Sequence, residues 1–218
     1  MKQYDLFIFD WDGTLMNTTQ TIVDATTHAC RMLNLTVVSD EDAKSIIGKS
    51  FVEVVSDIVP ELRGNPELLQ RFTAVYERYL NDHTLDNPLF RHVKELLDKL
   101  SVDGKLLAVA TGRSRVMLDD ILKGTGFGHY FMLTKTACEC FSKPHPQMIE
   151  EILDITMVDK SKAVMIGDTS HDIHMAHNAG IDAVGVCHGA QARDELVACM
   201  PKYLLNDITE LYYLYTEA

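Results

Sequence analysis

The segment from Asp5 to Thr14 constrains the fold more than any other, because an apolar run ends abruptly on two carboxylates and a turn. An apolar run at residues 6–9 is typical of a strand buried on both faces, as in a parallel sheet. Asp10 would then lie at the strand's carboxyl end, where open α/β sheets bind ligands. Gly13 allows a sharp turn that returns Asp12 toward Asp10. The segment predicts metal-assisted chemistry with one carboxylate as nucleophile; the alternative is a strand followed by an ordinary acidic turn.

Further polar groups follow apolar runs later in the chain: Thr111-Gly112-Arg113, Ser142-Lys143-Pro144 and Gly167-Asp168-Thr169-Ser170-His171-Asp172. Thr111 and the Gly112 amide can donate hydrogen bonds to phosphate oxygens. Lys143 can neutralise charge, and Asp168 can hold a hard cation. The ordinary alternatives are a turn, a solvated lysine and a helix N-cap. Because all of these groups lie after predicted strands, we expect one phosphoryl site rather than separate coincidences.

The order of these motifs resembles that of haloacid dehalogenase superfamily hydrolases, in particular the phosphoglycolate-phosphatase-like branch. The resemblance rests on Asp10-Trp11-Asp12-Gly13-Thr14-Leu15, Thr111-Gly112, Lys143-Pro144 and the segment from Gly167 to Asp172, and it covers essentially the whole chain. It implies a doubly wound, Rossmann-like parallel sheet with an inserted all-helical cap. Trp11, Asn17-Thr18 and Arg91-His92 depart from the usual pattern of the branch without removing a catalytic group.

The resemblance implies hydrolysis of a small phosphorylated metabolite by stepwise phosphoryl transfer. Asp10 attacks phosphorus and forms an aspartyl-phosphate. Asp12 protonates the leaving alcohol and then removes a proton from the hydrolytic water. Thr111, the Gly112 amide and Lys143 hold the transferring oxygens.

The cofactor that the resemblance implies is Mg²⁺. The metal ligands would be Asp10, Asp168 and the backbone carbonyl of Asp12. Asp172 would orient Lys143 or a metal-bound water.

The periodicity of residues 16–83 is helical throughout, which predicts a helical cap domain there and an α/β core domain from residues 1–15 and 84–218. Ser39 with Asp42 predicts a capped short helix, and the capping box of Ser50 with Glu53 and the pair Asn65-Pro66 predict two further helix starts. Four helices are too many for a simple crossover, which normally needs one. Gly48-Lys49-Ser50, between two cap helices, is a candidate specificity loop with Lys49 on the substrate; the alternative is a plain turn.

The remainder alternates between helices and strands, as in doubly wound α/β proteins. Helices are predicted near 93–100, 114–123, 146–155, 171–179, 192–199 and 207–215. Strands are predicted up to Thr111 and near 130–133, 163–167, 183–187 and 203–205.

Charge and cysteine content limit the possible partners. The chain has 218 residues, with 20 Lys and Arg against 32 Asp and Glu, and its formal charge of −12 argues against nucleic-acid or anionic-membrane partners. Five cysteines without a Cys-x-x-Cys pair, and the lack of a signal-like segment, predict reduced thiols in a cytoplasmic protein. Cys138-Glu139-Cys140 could chelate a soft metal, and His171, His174 and His177 could form a zinc or nickel face. Solvated histidines are the preferred interpretation.

Several rival functions remain open or are disfavoured. The family's dehalogenases lack the acid at Asp12, which argues against that activity. A phosphonatase would need a Schiff-base lysine in the cap, for which only Lys44 and Lys49 qualify. A phosphomutase or a pyrophosphatase of the same superfamily is a further alternative. A receiver-like, phospho-accepting module is the non-enzymatic alternative, although it would carry no helical insertion. The substrate, whether phosphoglycolate, a sugar phosphate, a nucleotide or pyrophosphate, and the oligomeric state stay open.

Overall fold

The computed structural model describes residues 3–216, which form a six-stranded sheet with helices on both faces. The strands are β1 (Leu6–Phe9), β2 (Leu106–Thr111), β3 (Leu133–Thr136), β4 (Ala163–Gly167), β5 (Asp182–Val186) and β6 (Tyr203–Leu205). Their order is β3-β2-β1-β4-β5-β6, and every neighbouring pair is parallel. The apolar central strands match this arrangement, because both of their faces are covered.

Ten α-helices lie within residues 3–216. They are α1 (Thr19–Met32), α2 (Asp40–Ser45), α3 (Phe51–Ile58), α4 (Pro66–His83), α5 (Val93–Val102), α6 (Arg115–Thr125), α7 (Gln147–Thr156), α8 (Ser170–Ala179), α9 (Arg193–Ala198) and α10 (Ile208–Thr216). Across the described part of the chain, none of them combines the length and the apolarity needed to cross a membrane.

Side chains of β1 alternate between two core layers, as the period of a strand requires. Phe7 and Phe9 pack in a cluster with residues of α5, α6 and α10. Leu6 and Ile8 pack in a second cluster with residues of α7, α8 and α9. The predicted doubly wound α/β sheet is therefore confirmed.

Helices α1 to α4 form an insertion between β1 and β2 that has its own apolar core. Ala25 and Ala29 of α1 pack there with Phe72 and Leu80 of α4. The two connections to the sheet run side by side, since the Asn17 amide donates to the Pro88 carbonyl at 3.0 Å. The predicted all-helical insertion is confirmed.

Local predictions for the insertion were partly wrong. Ser39 caps α2, since its Oγ accepts from the Asp42 amide at 3.1 Å, and the Asn65 side chain caps α4. The capping box predicted at Ser50 does not form: its side chain makes no cap hydrogen bond, and its amide donates to Ser142 Oγ at 2.8 Å.

The strand predicted at 130–133 begins three residues later, at Leu133. Tyr130 ends a short 3₁₀ turn, and Phe131 is buried against the core before the strand begins. Pairing of Leu133 with Ala108 sets the register of β3. Because β3 lies at the edge of the sheet, it can contain the polar residues Thr134 and Lys135. A prediction based only on the apolar run at 130–133 therefore places the strand too early in the sequence.

Candidate active site

The predicted site residues follow three neighbouring strands at the centre of the sheet. Asp10 follows β1, Thr111 ends β2 and Asp168 follows β4. Because β1 lies between β2 and β4, the chain leaves β1 toward one side of the sheet and later returns on the other. This reversal opens a crevice at the carboxyl ends of the strands, where open α/β sheets bind ligands.

Lys143 connects two of the buried acids. Its Nζ lies 2.8 Å from Asp10 Oδ1 and 2.7 Å from Asp172 Oδ1. The other Asp172 oxygen accepts from the backbone amide of Thr169 at 3.1 Å and from its Oγ1 at 2.7 Å, a capping box that begins α8. Burial disfavours the ammonium, but the two carboxylates outweigh it and raise the pKa of Lys143. Lys143 is therefore a fixed cation beside Asp10.

Asp10, Asp168 and Asp172 form a buried acidic cluster whose ligand atoms lie within 4.8 Å of one another. Asp168 is held by Thr14 Oγ1 at 2.8 Å and by the Ala190 amide at 2.7 Å. Burial, followed by the charge of Asp172, raises the pKa of Asp168 to about 7. Burial also raises the pKa of Asp10 well above its usual range, with Lys143 opposing the shift.

The donor set of this cluster fits a hard divalent cation. Asp10 Oδ2 is buried and accepts no hydrogen bond from any residue between 3 and 216. Three carboxylates face a single lysine, so a cation would relieve their repulsion and favour the ionised forms. The structure brings Asp10 and Asp168 together, and Asp172 lies with them. Both carboxylate oxygens of Asp172 accept hydrogen bonds, one from Lys143 and the other from Thr169, which suits a residue that orients Lys143.

Asp12 is held by a residue that the sequence reasoning missed. Arg113 Nε donates to Asp12 Oδ2 at 2.7 Å, and its Nη2 donates to Oδ1 at 2.5 Å. Thr18 Oγ1 also donates to Asp12 Oδ1 at 2.5 Å. Arg113 is only 6% exposed. The sequence did contain one signal for Arg113: it lies two positions after Thr111, at the end of a strand predicted to be buried. A buried arginine is rare unless its charge is paired, so an acidic partner was to be expected.

The loop Gly48-Lys49-Ser50 lies against the carboxyl ends of the strands. Beside the Ser50–Ser142 hydrogen bond, Gly48 has φ +90° and packs against Thr169, and Gly112 lies against the backbone carbonyl of Lys49. A cavity of about 100 Å³ lies between the insertion and the sheet. Its lining includes Asp10, Asp12, Thr111, Gly112 and Arg113 from the sheet side, and Lys49, Phe51, Tyr76 and Leu80 from the insertion.

A methyl group on Gly112 is expected to displace this loop. Its Cβ would lie 2.3 Å from the Lys49 carbonyl oxygen, a contact that no side-chain rotation relieves. Gly112→Ala keeps the amide N–H, so an expected fall of about tenfold or more in kcat/KM would report the loop position. Gly128→Ala is the matched control, because its Cβ would meet only ordinary contacts with Leu122. Equal activity of the two variants would contradict the expectation.

The histidines of α8 differ in environment. His174 and His177 are exposed, as predicted. The prediction of a solvated His171 was wrong: it is half-buried, and burial together with the nearby Lys49 cation lowers its pKa to about 4. It lies in the first turn of α8, close to the loop that carries Lys49. Cys138 is exposed, Cys140 is buried, and Glu139 pairs with Arg115 instead of facing them.

Comparisons with known proteins agree with this geometry. A profile of haloacid dehalogenase-like hydrolases matches residues 7–186. The chain is 31% identical to a probable phosphatase IndB of Dickeya dadantii, over 94% of this chain and 91% of that protein. It is 28% identical to a pyrophosphatase PpaX of Bacillus velezensis (98% and 97% covered) and 28% identical to a phosphoglycolate phosphatase of Vibrio cholerae (97% and 96%).

Solved structures share the fold across the whole chain. A predicted phosphoglycolate phosphatase from Haemophilus somnus superposes with a TM-score of 0.87 at 24% identity, covering 99% of both chains. A predicted phosphatase from Clostridium acetobutylicum gives a TM-score of 0.84 at 21% identity, covering 100% of both.

The sheet, its helical insertion and the acids at the strand ends define a hydrolase. The chain belongs to the haloacid dehalogenase-like hydrolase family. Within that family it is an enzyme of the phosphatase type.

Proposed function

We propose that this protein is a magnesium-dependent phosphatase that hydrolyses a small phosphate monoester, phosphoglycolate or a similar metabolite, through an aspartyl-phosphate on Asp10. One observation carries the proposal. Asp10 lines the cavity, one of its oxygens is fixed by Lys143, and the other is left without a hydrogen-bond partner in the described chain. An oriented carboxylate with one unengaged oxygen is what nucleophilic attack on phosphorus requires.

Asp10 and the residues around it would have different roles in the reaction. Asp10 Oδ2 attacks phosphorus, and the ester oxygen leaves with a proton that Asp12 supplies. Thr111, the Gly112 amide and Lys143 stabilise the charge on the phosphoryl oxygens. Thr111 Oγ1 accepts from the Arg113 amide at 3.3 Å, which leaves its hydroxyl proton free to donate.

The acidic cluster would hold the magnesium ion. Asp10, Asp168 and the backbone carbonyl of Asp12 are the proposed ligands, and Asp172 orients Lys143. When bound, the ion would supply positive charge that neutralises the phosphoryl group during transfer.

The insertion would close the site and select the substrate. We propose residues 16–83 as the cap domain and residues 1–15 and 84–218 as the catalytic core domain. Lys49 lines the cavity beside Arg113 and would bind an anionic part of the substrate. A cavity of about 100 Å³ is far below the roughly 300 Å³ of sites for drug-sized ligands, which favours a small metabolite.

Pyrophosphate is the second candidate substrate. The two cations that line the cavity, Lys49 and Arg113, suit a substrate with a second charged group. The relatives named as pyrophosphatases are 26–28% identical to this chain over nearly their full length.

Phosphate release from a panel of metabolites in the presence of magnesium tests the proposal. The panel contains phosphoglycolate, pyrophosphate, sugar phosphates and nucleotides, with p-nitrophenyl phosphate as a general substrate. Multiple turnovers with at least one small monoester are expected. A single phosphorylation event without turnover would identify a phospho-accepting module and contradict the proposal.

The division of roles between Asp12 and Lys143 predicts opposite dependence on the leaving group. Asp12→Asn is expected to slow hydrolysis of an alkyl phosphate by about 10²-fold more than that of p-nitrophenyl phosphate, because only the alkoxide needs a proton to leave. Lys143→Ala should slow both substrates alike, since both share the phosphoryl oxygens that it serves. Side-by-side kcat/KM values measure this.

Asn is chosen at position 12 because Ala would leave the buried Arg113 guanidinium without any partner on that side. If the two variants gave the same ratio between the substrates, the assigned roles would be wrong, even for a working phosphatase.

A further inference from the structure

The loop that follows β5 lies directly against Asp168. The Ala190 amide donates to Asp168 Oδ2 at 2.7 Å. Gly189 has no room for a side chain, because a Cβ there would lie 2.0 Å from the same oxygen. Asp168 is fully buried, so these contacts and the hydrogen bond from Thr14 to its other oxygen determine the orientation of the carboxylate.

The two hydrogen-bond donors to Asp168 come from segments that are far apart in the sequence. Thr14 Oγ1 donates from the turn after β1, and the Ala190 amide donates from the loop after β5. A carboxylate held by two donors keeps its orientation only while both donors keep their positions. The orientation of Asp168 therefore depends on how these two segments are joined.

His188, two residues before Ala190, joins the two segments. Its Nδ1 accepts from the Ile208 amide at 3.2 Å, at the start of α10, so Nδ1 carries no proton. The proton of the neutral ring is then on Nε2, which donates to the Thr14 carbonyl oxygen at 3.1 Å. Burial lowers the pKa of His188, in agreement with a neutral ring.

The ring of His188 is also fixed in orientation. It stacks on Phe90, with ring centroids 3.8 Å apart and an angle of 20° between the planes. Phe90 lies in the second connection between the insertion and the sheet, where its amide donates to the Leu15 carbonyl at 3.0 Å. Because Leu15 directly follows Thr14, the ring of His188 and the carbonyl that it binds are held by the same pair of segments.

We propose that His188 is a positioning residue for the metal site, because it fixes the relative positions of the two donors that orient Asp168. The hydrogen bonds and the loop form a closed ring of four residues: Asp168, Thr14, His188 and Ala190. His188 does not line the cavity, so it would act through Asp168 and not on the substrate. The inference rests on the proposed function, in which Asp168 is a ligand of Mg²⁺.

The affinity for Mg²⁺ without substrate tests the inference. His188→Phe keeps a ring to stack on Phe90 but removes both hydrogen bonds. Its dissociation constant for Mg²⁺, measured from the concentration dependence of the melting temperature, is expected to rise about tenfold, at the lower end of the effect of residues that orient metal ligands. The Mg²⁺ concentration for half-maximal hydrolysis of p-nitrophenyl phosphate should rise in parallel.

Two amide variants separate the hydrogen bonds of His188. In His188→Gln the side-chain amide can still donate to the Thr14 carbonyl, so part of the Mg²⁺ affinity should be recovered. In His188→Asn the shorter amide can accept from Ile208 but does not reach Thr14, so the loss should match that of His188→Phe. This pair provides the test if His188→Phe does not fold.

His129→Phe is the matched control. His129 also packs its ring on an aromatic neighbour, Tyr130, but it lies in the short turn before β3, at the opposite end of the strands from the site. This variant should bind Mg²⁺ as tightly as the wild type does.

A double substitution tests whether His188 acts through Thr14. Thr14→Val removes the hydroxyl that binds Asp168 and nearly preserves the shape of the side chain. Only the Ala190 donor then remains, so adding His188→Phe should change the Mg²⁺ dissociation constant by about threefold or less. An equal effect of His188→Phe in both backgrounds would overturn the inference.

A histidine that only supports packing would give a different result. His188→Phe would then lower the melting temperature in the absence of Mg²⁺ and leave the dissociation constant for Mg²⁺ unchanged, which would refute the positioning role alone. Wild-type affinity in His188→Asn would refute it as well. A wild-type protein whose melting temperature does not respond to Mg²⁺ would instead refute the proposed metal site, and this inference with it.

Discussion

Replacement of Asp10 by Asn is expected to reduce turnover by more than about 100-fold while the fold stays intact. The amide preserves the shape and an oxygen toward Lys143, but it is a poor nucleophile and a weaker ligand for a cation. Asp10 is 1% exposed and tightly surrounded, so the near-isosteric change should disturb packing little. Initial rates of phosphate release and a thermal melt of the same preparation measure the two effects.

Asp5→Asn is the matched control, since Asp5 lies just before β1 and its carboxylate pairs at the surface with Lys105, at 2.9 Å. This variant should keep nearly full activity because exposed pairs contribute little. Trapping of phosphoprotein by rapid quenching should succeed with the wild type and fail with Asp10→Asn. Retention of more than about a hundredth of the wild-type rate would refute Asp10 as the nucleophile.

Removal of divalent cations by a chelator is expected to abolish phosphate release, and Mg²⁺ should restore it. Calcium should inhibit, because its larger and more flexible coordination shell misplaces the attacking carboxylate. A second effect should appear without any substrate. Three buried carboxylates share Lys143 as their cation, so Mg²⁺ should bind the native state and raise the melting temperature in a concentration-dependent way.

The thermal shift separates binding from catalysis. Asp168→Asn should lose most of the shift, since it removes one of the proposed ligands. Asp120→Asn should retain it, because Asp120 is an exposed residue of α6 outside the acidic cluster. Full activity in excess chelator would rule out the proposed cofactor. A Mg²⁺-dependent rise in melting temperature that persists in Asp168→Asn would show that the ion binds at another site.

Much of the fold and of the site was predictable because the relevant signals are local. A strand buried on both faces must be apolar, and a polar group at its carboxyl end must follow it directly in the sequence, as Asp10 follows β1 and Asp168 follows β4. Parallel strands in one sheet then bring their carboxyl ends together without further information. The helical insertion was also predictable from a local signal, the helical spacing of apolar residues within residues 16–83.

Other features depended on contacts between distant segments. The strand β3 was misplaced because its register is set by pairing with β2, and His171 was misjudged because a loop from the insertion lies close to it. The capping box at Ser50 failed because its amide is used by Ser142, 92 positions later. In each case a tertiary partner overrode a local preference.

The sequence by itself determined the order of strands and helices, the helical insertion and the groups that meet at the strand ends, because period and burial are properties of neighbouring residues. Only the tertiary structure decided that Arg113 donates hydrogen bonds to Asp12, 101 positions earlier in the sequence, and that Gly112 packs directly against the Lys49 backbone. These contacts depend on the directions of side chains and the distance between two separately packed layers. The pattern of residue types along the chain does not specify these directions and distances, because they arise only when the two layers pack against each other.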